Sequence, residues 1–240
     1  MKLAICLSGH MRNFDKHYRD LCKYILSKYD CDVYISTWKN RGLTFRSRKT
    51  LTHPDIIEPG EDISVDDVKN IYSPKEILVD DEYGKKIKTL LKTFDYGFQT
   101  TNEALIYKGQ AFMMFYKIES VINMALQSGV NYDFIVRVRP DLSPLADIDF
   151  NLFPKDHLIT RKKEINGHTD DKIWACGMDV ARKLAVSKFI AELSNPDFQK
   201  LVGGECMLEE FLLINSIPVY EYSFIYSFSY LEKEIYYYSS

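Results

Sequence analysis

An α/β fold, with a mostly parallel central sheet flanked by helices in a single domain, is predicted by three observations. The chain opens on a strand, helix, strand unit. Its longest amphipathic segment leads directly into another apolar strand, the usual grammar of parallel sheets. Composition is that of an ordinary globular protein: of 240 residues, 46% are hydrophobic and 27% charged, which excludes a disordered or low-complexity chain.

The elements follow in order. Lys2 to Leu7 is a short apolar strand, and Ser8-Gly9 makes the turn after it. From Phe14 onward, Tyr18, Leu21, Cys22, Ile25 and Leu26 recur at helical spacing. Asp32 to Trp38 is the second strand. Asn40 to Glu61 carries Gly42, Pro54, Pro59 and Gly60 and reads as a long surface loop. Val65 to Ile71 suits a short helix, Glu76 to Val79 a third strand, and Lys85 to Phe94 a further helix. Glu103 to Gln127 is the strongest helix, with Ala104, Tyr107, Ala111, Met114, Ile118, Val121, Ile122 and Ala125 on one apolar stripe. Ser128-Gly129 ends it.

Phe134 to Val138 then reads as a strand buried on both faces. Leu142 to Phe153 is a connection, and strands are expected near His157 to Thr160, Lys172 to Gly177 and Pro218 to Tyr222. Val180 to Leu193 and Glu205 to Asn215 suit helices. The domain spans 1–240, with about 224–240 as an edge strand or packed C-terminal arm.

Several function classes drop out. A formal charge of -3 argues against general nucleic-acid binding, which needs many phosphate-neutralising side chains on one surface. There is no G-x-G-x-x-G and no G-K-[ST], so dinucleotide and P-loop readings lack support. Five scattered cysteines without a C-x-x-C pair suit reduced core thiols in a cytoplasmic protein. No run approaches the roughly 20 apolar residues needed to span a bilayer.

Four constellations can carry chemistry. At Leu7-Ser8-Gly9-His10-Met11-Arg12, the glycine lets backbone approach a ligand closely, and Arg12 adds a planar donor fork suited to diphosphate. An ordinary strand-to-helix connection is the alternative. In Arg137-Val138-Arg139-Pro140-Asp141, the period of two puts both arginines on one face, and Pro140 ends the ladder so that Asp141 emerges at the strand end. Ligands bind at that end of open α/β sheets. The competing reading is a wet strand end where the arginines pair with Asp133 or Asp141. The third constellation sets Asp170 and Asp171 just before a strand, with Trp174 following as a surface on which a sugar could stack. In the fourth, Gly203-Gly204-Glu205, a carboxylate falls at a helix start, either as a dipole contact or as a general base.

Together, the segments Ala4 to Phe14, Asp32 to Trp38, Phe115-Tyr116-Lys117-Ile118, Tyr132 to Leu142 and Asp171 to Gly177 resemble small GT-A-type glycosyltransferase-like proteins of large DNA viruses and bacterial surface-polysaccharide clusters. The resemblance runs from Lys2 to about Val219. It implies a GT-A-like, Rossmann-like fold and transfer of a sugar from a nucleotide-diphosphate donor to a hydroxyl of a glycan or glycoprotein, leaning to inversion.

In that group a D-x-D motif ends a central strand and binds the metal of the donor. Here the matching tripeptide is Arg139-Pro140-Asp141, so the resemblance carries a metal ligand over to Asp141 alone and leaves a Mn2+ or Mg2+ requirement open. Ser8, Gly9 and Arg12 match the nucleotide-facing strand end, with Trp38, Arg137, Arg139, Asp170 and Trp174 as further substrate-binding positions. Glu205 resembles the acidic residue of the acceptor side, and Asp171 competes for the base role. The implied location is cytoplasmic, the host cytoplasm for a viral protein. A non-catalytic sugar- or nucleotide-binding protein and another phosphate-handling transferase, such as a sulfotransferase, stay as alternatives. The sequence does not define an oligomeric state.

Overall fold

The computed structural model describes residues 1–42, 61–81, 102–162, 169–186, 204–230 and 233–237. In chain order these form β1 (Lys2–Gly9), α1 (Phe14–Leu21), β2 (Asp30–Trp38), α2 (Val65–Tyr72), β3 (Glu76–Asp80), α3 (Asn102–Gln127), β4 (Phe134–Val138), β5 (Leu142–Pro144), β6 (Leu158–Lys162), β7 (Thr169–Cys176), α4 (Met178–Val186), α5 (Gly204–Ile214), β8 (Val219–Glu221), β9 (Tyr226–Tyr230) and β10 (Lys233–Tyr237). The expected helix at Lys85 to Phe94 lies outside the described residues, as do most of the 40–61 loop and the end of the helix expected to reach Leu193.

Seven strands build the central sheet in the order β3-β2-β1-β4-β7-β6-β8. The first four run parallel, β7 is antiparallel to both β4 and β6, and β8 returns parallel to β6. The mostly parallel sheet with flanking helices is therefore as the sequence predicts. Reversal of β7 has a consequence for the site, because its start, and not its end, lies beside the carboxyl end of β4. Val138 pairs with Ile173, so the chain on either side of that pair brings Arg139 and Lys172 together; the Arg139 amide donates to the Lys172 carbonyl at 3.0 Å.

Alternation along the strands sorts the core into two layers. Leu3, Ile5 and Leu7 of β1, with Phe134, Val136 and Val138 of β4, pack with Phe14, Leu21 and Val68 of α1 and α2. Ala4, Cys6 and Ile135 face the other way, against Phe115, Val121 and Ile122 of α3, Ala181 of α4 and Phe211 of α5. By the same alternation Arg137 lies on this second face. Cys6 and Cys176 are buried, and Cys22, Cys31 and Cys206 are half-buried.

Local chemistry sets the element ends. Gly129 takes a left-handed φ of 73° just past α3, as the Ser128-Gly129 stop predicts. Ser64 caps α2, accepting from the Asp67 amide at 3.1 Å. A Ser64→Ala protein is expected to lose about 1 kcal/mol of stability in urea unfolding, the usual worth of such a cap; an unchanged midpoint would show that this helix is held by packing alone.

Four details differ from the sequence reading. The first helix closes in a wider π turn, Cys22–Leu26, which keeps Ile25 as well as Leu21 in the core. The connection after Asp141 contains β5 and a 3-10 turn at Phe150–Leu152. Its brevity and its proline hid β5, which pairs with the C-terminal arm: β10, β9 and β5 form a separate antiparallel sheet. Finally, β7 starts at Thr169, paired with Lys162 across a register shift. Asp170 and Asp171 therefore lie within the strand and not before it.

Candidate active site

The carboxyl ends of β1, β2, β3 and β4, the start of β7 and the start of α5 converge. Gly9 holds a φ of 120° at the end of β1, a conformation that suits glycine. A Cβ there would meet the Pro140 ring at 3.9 Å, so the ends of β1 and β4 lie side by side.

Asp141 is 1% exposed and is gripped by two guanidinium groups. Arg139 donates from Nε and Nη2 to Oδ1 and Oδ2 at 2.9 and 2.7 Å, and Arg12 donates from Nη1 to Oδ2 at 2.7 Å. Burial alone would raise the Asp141 pKa, but Arg139 and Arg12 hold it well below the usual carboxylate range. Burial works against Arg139 too, and Asp141 holds that guanidinium above its ordinary value. The pairing considered for a wet strand end thus exists, but in a buried setting; Asp133 instead accepts from the Lys2 amide and Lys155.

Arg137 is 1% exposed. Its Nε donates to Ser8 Oγ at 3.0 Å, while its Nη1 has no acceptor among the described residues. Ser36, in register with Ser8 on the neighbouring strand, has a buried hydroxyl equally without a partner among the described residues. Burial lowers the Arg137 pKa to about 10, opposed chiefly by Asp171, so the group stays cationic at neutral pH. A buried guanidinium with an unused donor is costly unless an acceptor arrives.

The acidic half comes from β7 and α5. Lys172 Nζ lies 3.1 Å from Asp170 Oδ1, 3.6 Å from Asp171 Oδ1 and 3.7 Å from Glu205 Oε1. Tyr226 of β9 donates to the other Asp170 oxygen, tying the C-terminal arm to the site. Gly204 leaves room for Asp171: a Cβ there would meet Asp171 Oδ2 at 3.0 Å and the Met114 methyl at 2.7 Å. Glu205 is the more open of the two base candidates, its side chain 25% exposed against 11% for Asp171.

The two tryptophans are placed differently from open stacking surfaces. Trp38 is 1% exposed, with the Lys117 ammonium 4.2 Å from its ring centroid and Tyr116 stacked at 6.0 Å. Trp174, also 1% exposed, lines a small cavity with Phe115, Glu119 and Leu208. Its indole N–H and the Glu119 Oε2 there have no partner among the described residues. Both rings are walls of the core beside the crevice.

Three groups carry site chemistry that sequence reasoning did not assign. Lys117 is fully buried, donating to the Thr37 carbonyl and Asp80 Oδ2 at 2.5 Å each. Its signal was a charge four residues before buried Val121, inside the apolar stripe. Lys172 stood in the quoted D-K-I-W run without a role, and Tyr226 gave no signal. His10, its ring 6.3 Å from Trp38, is pushed down to about 3 by burial and the Arg12 charge, which leaves it a neutral imidazole.

A divalent cation does not fit Asp141. Both carboxylate oxygens already accept from guanidinium groups, and a cation there would face Arg12 and Arg139 at close range. No group of three or more His, Cys, Asp or Glu side chains suited to a metal occurs among the described residues.

No protein-family model and no curated protein matches this sequence. Among solved structures, the chain is similar to the glycosyltransferase GlyE of Streptococcus pneumoniae TIGR4, with 10% identity and a TM-score of 0.46, over 92% of this chain and 46% of that one. It is also similar to mouse xyloside xylosyltransferase 1 in its apo form, with 9% identity and a TM-score of 0.46, over 92% of this chain and 84% of that one. The chain thus spans about half the length of the first. No helix among the described residues is long and apolar enough to cross a membrane.

Proposed function

We propose that this protein is a glycosyltransferase that moves a sugar from a nucleotide-diphosphate donor to a hydroxyl of a glycan or glycoprotein. The observation that carries the reading is Arg137, a fully buried guanidinium whose Nη1 has no acceptor among the described residues. A phosphate oxygen is the acceptor that such a fork matches best. Arg12 and Arg139, their side chains 26% and 19% exposed, flank it and complete a cationic cradle for the diphosphate.

The chemistry follows from this placement. Ser8, Gly9 and Arg12 lie along the nucleotide, and the arginines take up charge as the bond between the anomeric carbon and phosphate oxygen breaks. Glu205 accepts the proton of the incoming hydroxyl as that oxygen bonds to the anomeric carbon. The nucleoside diphosphate leaves, and a single displacement inverts the anomeric centre.

A thermal-shift panel of nucleotide sugars and adenosine 3′,5′-bisphosphate tests the donor class. One nucleotide sugar at 100 times its dissociation constant is expected to stabilise the wild type by about 2.7 kcal/mol. Arg137→Met should weaken that ligand by about 1.5–3 kcal/mol, the worth of a hydrogen bond to a charged group, read as a loss of roughly 10- to 150-fold in calorimetric titration. Stabilisation by the bisphosphate alone would point to a sulfotransferase, and binding without any transfer to a non-catalytic protein.

A further inference from the structure

Three further carboxylates beside the arginine cradle converge on a cation that the chain itself provides. Asp170 and Asp171 come from the first residues of β7 and Glu205 from the first turn of α5, so two separate elements aim acidic groups at one point. Lys172 occupies that point, 6% exposed, with its Nζ 3.1–3.7 Å from an oxygen of each.

The backbone fixes the lysine in place. Its amide donates to Asp170 Oδ1 at 3.0 Å, and its carbonyl accepts from the Arg139 amide at 3.0 Å. Asp170 is held from its other oxygen by Tyr226. Burial opposes the ammonium, but Asp171 and Asp170 beside it keep its pKa above the ordinary lysine value, so it is charged at neutral pH.

A hard divalent cation requires carboxylate oxygens at about 2.0–2.6 Å, and an ammonium amid these three leaves no such position. Arg137 and Arg139 also feel Asp170 and Asp171, but Lys172 stands within 4 Å of an oxygen of all three carboxylates and offsets their mutual repulsion. Asp141 is taken by Arg12 and Arg139, and Asp80 by Lys117.

We infer that Lys172 is the resident cation of this site, filling the place of a divalent metal, and that donor binding therefore proceeds without one. The second half rests on the nucleotide-sugar reading given above; the first does not.

The experiment is a Mn2+ titration followed by electron paramagnetic resonance, run on the wild type, Lys172→Met and Lys172→Arg. The wild type and Lys172→Arg should show no stoichiometric Mn2+ site, while Lys172→Met gains one per chain, with affinity at least about ten-fold above the wild type. Wild-type binding of the nucleotide sugar should be equal in EDTA and in Mn2+.

One Mn2+ bound per wild-type chain and lost in Asp170→Asn would overturn the inference, a result that needs no lysine variant to fold. A folded Lys172→Met protein without a Mn2+ site would overturn it as well, and so would donor binding abolished by EDTA. If the metal results come out as expected and no nucleotide sugar binds, the resident cation stands and the transferase reading falls.

Discussion

Asp141→Ala is expected to lower the unfolding free energy at neutral pH by about 3–5 kcal/mol, the cost of removing one partner of a buried ion pair. In a chain of this size that corresponds to a fall in Tm of roughly 10 °C. The size of the effect comes from what is left behind: Arg139 and Arg12 lose the carboxylate that accepts three of their N–H groups. The pH dependence has a definite sign. Since Asp141 has its pKa depressed in the folded state, its contribution is complete above the unfolded value of about 3.9 and is lost as pH falls toward the folded one. The gap between wild type and variant should be constant above about pH 5 and narrow in stronger acid. Urea unfolding at pH 7 and pH 3 measures both; a Tm within about 2 °C of wild type at pH 7 would show that the triad does not hold the strand end.

Glu205→Gln is expected to reduce the transfer rate by about 100- to 10,000-fold, the usual contribution of a general base, while donor affinity changes less than about two-fold. The separation is the point of the variant. Glu205 lies 3.7 Å from Lys172 Nζ, beyond hydrogen-bond reach, and the amide is nearly isosteric, so the cradle should survive. Asp171 is a weaker candidate because its side chain is only 11% exposed and an acceptor hydroxyl must arrive from solvent. Single-turnover assays with saturating donor would read the rate, and calorimetry the affinity. A variant as fast as wild type, beside an Asp171→Asn protein that is slow, would transfer the role to Asp171.

The legible parts of the fold were those with local signals. β1, β2 and β4 announced themselves by apolar runs, α3 by its stripe, and its end by Ser128-Gly129. What stayed hidden depended on partners far away in sequence. The reversed direction of β7 follows from its pairing between β4 and β6, which no feature of Thr169–Cys176 reveals. β5 is three residues long and exists because β9 completes it.

In the site, Arg137-Val138-Arg139-Pro140-Asp141 stood out because charge interrupted a buried strand. Lys117 and Lys172 did not, because a lysine in a sequence reads by default as a solvated cation. Only three-dimensional placement shows Lys117 against Trp38, Asp80 and the Thr37 carbonyl, or Lys172 among three carboxylates.

The pairing of Arg12, Arg137, Arg139 and Lys172 with Asp141, Asp170, Asp171 and Glu205 also bears on how a ligand is caught. Among the described residues these four positive and four negative groups balance, so beyond a Debye length, about 8 Å at physiological salt, their summed field is small. Diffusional steering, which speeds encounter with a strongly cationic cleft, has little to act on here. On the nucleotide-sugar reading proposed above, capture would be an exchange of partners at contact distance, in which phosphate oxygens take guanidinium donors and the displaced charges reorganise locally. On that reading the site would select by fit after arrival, where a bare basic pocket would collect many small anions.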